Sequence, residues 1–291
     1  MLSPRKFFSL CAQLVSVLTV AGLLSACGND GGTTAAGGTA ARTSEQGTQA
    51  PFKILVFSKT AGFRHYSIPI GVATLQQLGS ANGFEVVATE DDKVFTPENL
   101  KQYAAVVWLN TTGIVLTDNR QRKAFEDYMA GGGGFVGIHS AADTEYEWKW
   151  YETLVGARFK CHPLQQTATL INEAVDHPST AHFAKSFTTF DEFYSFNRSP
   201  RKEVKVLLSI DEASYMQNPN TSNLPDSPTF PQGVNGTMGD HPMSWCHRNT
   251  GGIAWYTALG HEGTQYASPD YQQHILNGVM VAAGRVQANC Q

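Results

Sequence analysis

Nine histidines stand in the 291-residue chain, all between residues 65 and 274, and several follow directly on short apolar runs. Ala61-Gly62-Phe63-Arg64-His65 follows Phe52–Phe57, and Asn110-Thr111-Thr112-Gly113 follows Tyr103–Leu109. His139-Ser140-Ala141-Ala142-Asp143 follows Phe135–Ile138, and Gly260-His261-Glu262 follows Ile253–Ala258. Between them lies Phe190-Asp191-Glu192-Phe193-Tyr194. Imidazoles and carboxylates converging this way suit proton transfer at neutral pH. His139 and His261 are the candidate proton carriers, with Asp191 or Glu192 as the orienting group or base. Arg64 and His65 would contact substrate oxygens, with Tyr194, Trp245, His247 and Glu262 beside them. If Asp191 lies in a strand, it and Glu192 point to opposite faces, so only one enters the site. A single histidine of this kind is ordinarily a hydrogen-bonded structural residue; three at strand ends argue for a site.

The same residues offer a second chemistry. His139, His247 and His261 with one acid would suit a divalent metal such as Zn²⁺. No HExxH or other closely spaced pair supports it, so the cofactor stays open. Asp176-His177-Pro178 and Asp240-His241-Pro242 read better as turns with a capped backbone than as ligands. Gly137-Ile138-His139-Ser140-Ala141 has the small-x-X-x-small form of a nucleophile elbow, a sharp turn from strand to helix. Its apex holds His139 where a hydrolase would hold Ser or Cys. Trp108, Trp148, Trp150, Tyr194, Trp245 and Tyr256 are the aromatic faces available to a sugar ring, though most such residues are core. The stretch from Asn218 to Pro242, rich in Pro, Asn and Gly, reads as a long loop that could cover the pocket.

Alternating strands and helices must position these groups. Phe52–Phe57, Phe84–Val87, Tyr103–Leu109, Phe135–Ile138, Val204–Ile210 and Ile253–Ala258 are short apolar runs of the kind buried on both faces of a sheet. Ser67 is expected to cap a helix with Pro69 near its first turn and Ile68, Val72, Leu75 and Leu78 on one stripe. Thr117 or Asp118 caps a second, and Ser268 a third that stops at Gly284. This β-α-β order predicts an α/β fold of one domain, with a doubly wound, mostly parallel sheet. Ligands on such sheets bind beyond the C-terminal ends of the strands, where the polar clusters fall.

The first fifty residues differ from the rest. Residues 1–26 carry Arg5 and Lys6, then a short apolar stretch, then Leu24-Ser25-Ala26-Cys27, as in a secretory signal. Residues 28–50 hold 6 Gly, 5 Ala and 5 Thr and no large apolar residue, so they form a flexible leash. The division expected is signal 1–26, Cys27 and linker 27–50, and a folded domain 51–291. Without the signal the charge falls from 21 basic against 25 acidic residues to 19 against 25, or −6. Without a basic tract, such a chain is a poor nucleic-acid binder. At 42% hydrophobic and 16% charged residues it is neither disordered nor a coiled coil. Of the five cysteines, Cys11 leaves with the signal, and Cys161, Cys246 and Cys290 can form at most one disulfide.

Leu24-Ser25-Ala26-Cys27 resembles the lipobox of bacterial lipoproteins. That resemblance implies a lipid anchor on Cys27 and a place in the cell envelope, at the outer membrane or the periplasmic face. GFRH (62–65), GGGFVGIHSA (132–141), LVGARF with His162-Pro163, DHPST (176–180), DEFYSF (191–196), Asp211-Glu212, GDHPMSWC (239–246) and GGIAWYTALGHE (251–262) together resemble the ThuA-like family. The resemblance spans about residues 52–284 and implies a flavodoxin-like fold similar to class I glutamine amidotransferases. It also implies a carbohydrate substrate of the trehalose or keto-sugar type, and a sugar oxidoreductase in the same pathway. The amidotransferase Cys is replaced by His139, so glutaminase activity is not implied. Two functional classes follow: an exported enzyme acting on a carbohydrate, by proton transfer or metal-assisted hydrolysis, and a non-catalytic sugar-binding surface lipoprotein.

Overall fold

The computed structural model describes residues 50–217 and 235–291. The signal, Cys27, nearly all of the leash and most of the long loop after Asn218 lie outside them. Eleven strands and five α-helices follow in the order β1 (Phe52–Phe57), α1 (Ile68–Asn82), β2 (Phe84–Thr89), α2 (Pro97–Leu100), β3 (Ala105–Leu109), α3 (Asn119–Ala130), β4 (Gly134–Ile138) and α4 (Lys149–Val155). Then come β5 (Phe159–Cys161), β6 (Gln166–Asn172), β7 (Ser186–Asp191), β8 (Ser195–Phe196), β9 (Lys205–Ile210), β10 (Pro242–Asn249), β11 (Gly252–Thr257) and α5 (Pro269–Ala282).

Nine strands form one sheet in the order β2-β1-β3-β4-β11-β10-β9-β6-β7. From β2 to β11 the neighbours are parallel. That half has the flavodoxin-like 2-1-3-4-5 order. From β11 to β7 the neighbours are antiparallel. The sheet is therefore mixed: the parallel half follows the apolar runs of the sequence, and the antiparallel extension adds β6, β7 and β10, which no continuous apolar run marks. β6 and β7 are half-exposed strands whose burial alternates. They lack the continuous apolar signature of β1, where Ile54, Leu55, Val56 and Phe57 are wholly buried.

The helix boundaries follow local chemistry. Asp118 caps α3 through Arg120 N–H, with Gln121 completing a capping box. Ser268 caps α5. Ser67 precedes α1 without capping it: its hydroxyl donates to the Gly260 carbonyl and accepts from the Asn110 side chain, which ties the loops after β1, β3 and β11 together. Cys246 and Cys290 are joined in a disulfide, and Cys161 is free and buried. Among the described residues, no helix is long and apolar enough to cross a membrane.

Candidate active site

Three parallel strands deliver most of the site from their C-terminal ends. His139 follows β4 at the elbow, and its backbone sits in the left-handed region at φ 49°. That sharp turn needs a small residue two positions earlier, because a Cβ on Gly137 would come within 2.9 Å of the Tyr256 ring. His65 lies in the loop after β1, and His261 follows β11. Glu192 comes from the antiparallel half, immediately after β7. His65, His139, Glu192 and His261 are all buried and bring one ligating atom each within 4.8 Å of one another.

The electrostatics of this cluster are unusual. His139 Nδ1 donates to the Ala258 carbonyl at 2.8 Å, which leaves the neutral ring with a lone pair on Nε2. That Nε2 stands 3.4 Å from Glu192 Oε2, and His261 Nδ1 stands 3.1 Å from the same oxygen. Neither nitrogen has the alignment of a hydrogen bond, and both are buried. Burial holds His139 below the usual imidazole range, and it pushes His65 down to about 2, with the neighbouring histidines adding to it. Burial alone would raise Glu192, but His139 and His261 beside it pull it well below the usual carboxylate range. Burial opposes a charge on His261, yet Glu192 raises it above its ordinary value. The result is a buried, ionised carboxylate with two imidazole nitrogens against one of its oxygens.

The donor set fits a divalent metal. Two ligands on a tetrahedral Zn²⁺ at about 2.0–2.1 Å stand roughly 3.3 Å apart. The two contacts to Glu192 Oε2, 3.4 and 3.1 Å, bracket that separation. The surrounding groups orient the ligands: the Gln165 amide donates to Glu192 Oε1 at 3.0 Å, and His162 Nδ1 lies 3.2 Å from the same oxygen.

The sequence candidates separate into groups. His139, His261, Glu192 and His65 meet in the cluster, and Tyr194 packs its ring 4.2 Å from His139. Glu262 stands 3.8 Å from His261 and accepts the Tyr66 hydroxyl at 2.6 Å. Asp191 ends β7 with its carboxylate turned away from its neighbour's, accepting the backbone N–H groups of Gly260, Glu192 and Glu262 at 2.7, 2.9 and 3.1 Å. Burial raises it to about 7 against these three donors. Its place is under the His261 loop, as a clamp. Arg64 is exposed and forked onto Glu90.

Two candidates lie elsewhere. Trp245 is wholly buried, with its indole N–H donated to the Val155 carbonyl, and His247 Nε2 donates to the Thr153 carbonyl. Both sit on β10, which runs antiparallel to β11. His247 pairs with Ala254, near the start of β11, so it falls toward the far end of the sheet from His261. The cluster therefore holds His65 where the expected set held His247, with Glu192 as its acid. The aromatic candidates also change: Trp108, Trp148 and Tyr256 are core. The exposed aromatics near the cluster are Phe63, Tyr66 and Tyr146. Phe63 packs edge-on against His65, and Tyr66 against His261. His162 and Gln165 also reach Glu192, and the His162-Pro163 pair is their one signal in the sequence.

Comparison with known proteins places this geometry. A ThuA-like protein from Bacteroides uniformis is similar over 79% of this chain and 91% of its own, with 26% identity and a TM-score of 0.62. A ThuA-like protein from Parabacteroides merdae is similar over 82% and 93%, with 18% identity and a TM-score of 0.60. A cytoplasmic protein from Salmonella typhimurium shares the fold at 13% identity and a TM-score of 0.54, over 79% of this chain and 99% of its own. None of the curated proteins matches the chain. The family model for ThuA, trehalose utilisation, matches residues 53–282, so the chain belongs to the ThuA family.

Proposed function

We propose that the chain is a metal-dependent enzyme acting on a carbohydrate of the trehalose or keto-sugar type, with His65, His139, His261 and Glu192 as its metal ligands. The observation that carries this reading is the pair of buried imidazole nitrogens facing one ionised carboxylate without hydrogen bonds. A divalent ion bound there would polarise a substrate oxygen or lower the pKa of a bound water. The protein's own groups have separate tasks. The Ala258 carbonyl fixes the His139 tautomer, and Gln165 holds the Glu192 carboxylate. Asp191 fixes the backbone that presents His261. Glu262, at the mouth and tied to the Tyr66 hydroxyl, is placed to accept a substrate hydroxyl or to move its proton. Phe63 and Tyr66, 61% and 56% exposed beside two of the ligands, offer faces for a sugar ring.

The family to which the chain belongs supports a carbohydrate substrate, and the resemblance of Leu24-Ser25-Ala26-Cys27 to a lipobox supports a lipid anchor at Cys27 and a cell-envelope location, with a sugar oxidoreductase as the proposed partner in the same pathway. The test is turnover of trehalose or a keto derivative by metal-loaded protein, compared with Glu192→Gln. Wild-type turnover that depends on metal and vanishes in the variant is the expected result. Turnover undiminished by chelation would overturn the metal role. Intact mass of the mature protein tests the anchor on Cys27.

A further inference from the structure

A cavity of about 530 Å³ opens against the loop after β1, bounded by α1 and the end of β2. That volume lies within the roughly 300–1,000 Å³ of small-molecule sites. Two of its walls belong to the site already described. His65 is a member of the cluster, and Tyr66 packs its ring 6.3 Å from that of His261 while holding Glu262. The other walls are mixed. Pro69, Val72, Ala73 and Ala88 supply aliphatic surface, and Gln76 supplies an amide.

The charges of the cavity are balanced. Arg64 and Glu90 both line it and are joined by two hydrogen bonds of 2.9 and 2.7 Å. A guanidinium already forked onto a carboxylate has no spare charge for a phosphate, but the pair still offers donors and acceptors at its exposed edge. Aliphatic walls beside a neutralised polar pair match a ring with C–H faces and hydroxyl rims. They match an anionic or a purely apolar ligand poorly.

Resting on the reading of the cluster as a carbohydrate site, we propose that this cavity is a second sugar subsite, which holds the residue next to the one that reacts. The reacting residue lies over the four-ligand cluster. Its neighbour lies between Tyr66 and the α1 face that carries Ala73 and Gln76. The preferred substrate is then a neutral, unphosphorylated glycoside of at least two sugar residues rather than a free monosaccharide.

Ala73 and Ala88 are exposed and stand on separate elements, α1 and β2, so each can be enlarged without disturbing the core. The experiment uses the full metal-loaded chain and its Ala73→Trp and Ala88→Trp variants. Trehalose or its keto form is the two-residue probe, and methyl glucoside in the same oxidation state is the one-residue probe. Calorimetric affinity and kcat/KM are measured for both. The expected result is that either variant lowers the ratio of two-residue to one-residue kcat/KM roughly tenfold or more, with a matching loss of affinity for the larger probe. A ratio within about twofold of wild type in both variants, with wild type acting on both probes, overturns the subsite alone. Wild type that binds and turns over neither probe overturns the reading of the cluster on which the subsite rests.

Discussion

Two regions of this molecule bury histidines beside metal-ligating groups, and they treat them in opposite ways. At the C-terminal ends of the parallel strands, His139 Nε2 and His261 Nδ1 face the Glu192 carboxylate without hydrogen bonds. Below α5, His177 lies against the disulfide, with Nε2 at 3.6 Å from Cys246 Sγ. There the nitrogens of His177 and His274 are matched: His177 Nδ1 accepts the Ser179 N–H, while His274 Nδ1 reaches the Ser179 carbonyl and Nε2 the Thr257 hydroxyl. Burial pushes both down, His177 to about 4 and His274 to about 3. The difference teaches that burial and a lowered pKa do not mark a functional histidine. Unmatched ring nitrogens aimed at a common carboxylate set the first region apart, because leaving a buried polar atom without a partner costs about 1–3 kcal/mol unless a ligand supplies one.

Four substitutions or conditions would break or sharpen this contrast. Glu192→Gln keeps the shape but removes the charge that organises the cluster. Activity should fall about 10²–10³-fold or more, with metal content lost in parallel. Asp191→Asn leaves the ligands in place but puts an amide N–H against one of the three backbone donors it now accepts. Metal affinity should fall about 10–100-fold, as for other groups that orient ligands. In the second region, replacing Cys246 and Cys290 together by Ala should lower unfolding free energy by about 2–4 kcal/mol, because the bridge closes a long loop. Metal stoichiometry, measured on the same protein, should not change.

The last effect is on acid stability. His177 and His274 have folded values far below the unfolded 6.5, so in that window only the unfolded chain takes up their protons. Their contribution is full above pH 6.5 and is lost as pH falls toward about 4 for His177 and about 3 for His274. The slope approaches about 1.4 kcal/mol per pH unit for each histidine. Denaturant midpoints between pH 7 and 5 would measure it. His274→Gln should reduce the slope while leaving metal binding intact.

The parallel half of the sheet was legible because its strands are continuous apolar runs and its helices carry caps and stops at Asp118, Ser268 and Gly284. The elbow at His139 was legible because close packing against Tyr256 demands glycine at 137. The antiparallel half was not, since β6 and β7 alternate and are half exposed. That gap had a direct consequence for the site. Without the direction of β10, Trp245 and His247 could not be assigned away from the strand ends, whereas the order Asp191-Glu192 in a strand by itself sends the two side chains to opposite faces. The exposed aromatics Phe63 and Tyr66 sit in a loop without periodicity, so only the fold brings them onto His65 and His261.

A metal held by the unmatched nitrogens would show most directly in a calorimetric titration of chelator-stripped full-length protein with Zn²⁺, alongside Glu192→Gln and His177→Ala. Saturable binding of one ion per chain is expected in the wild type and in His177→Ala, with that binding lost in Glu192→Gln. Absence of binding in the wild type, or undiminished binding in Glu192→Gln, would contradict a metal at this site.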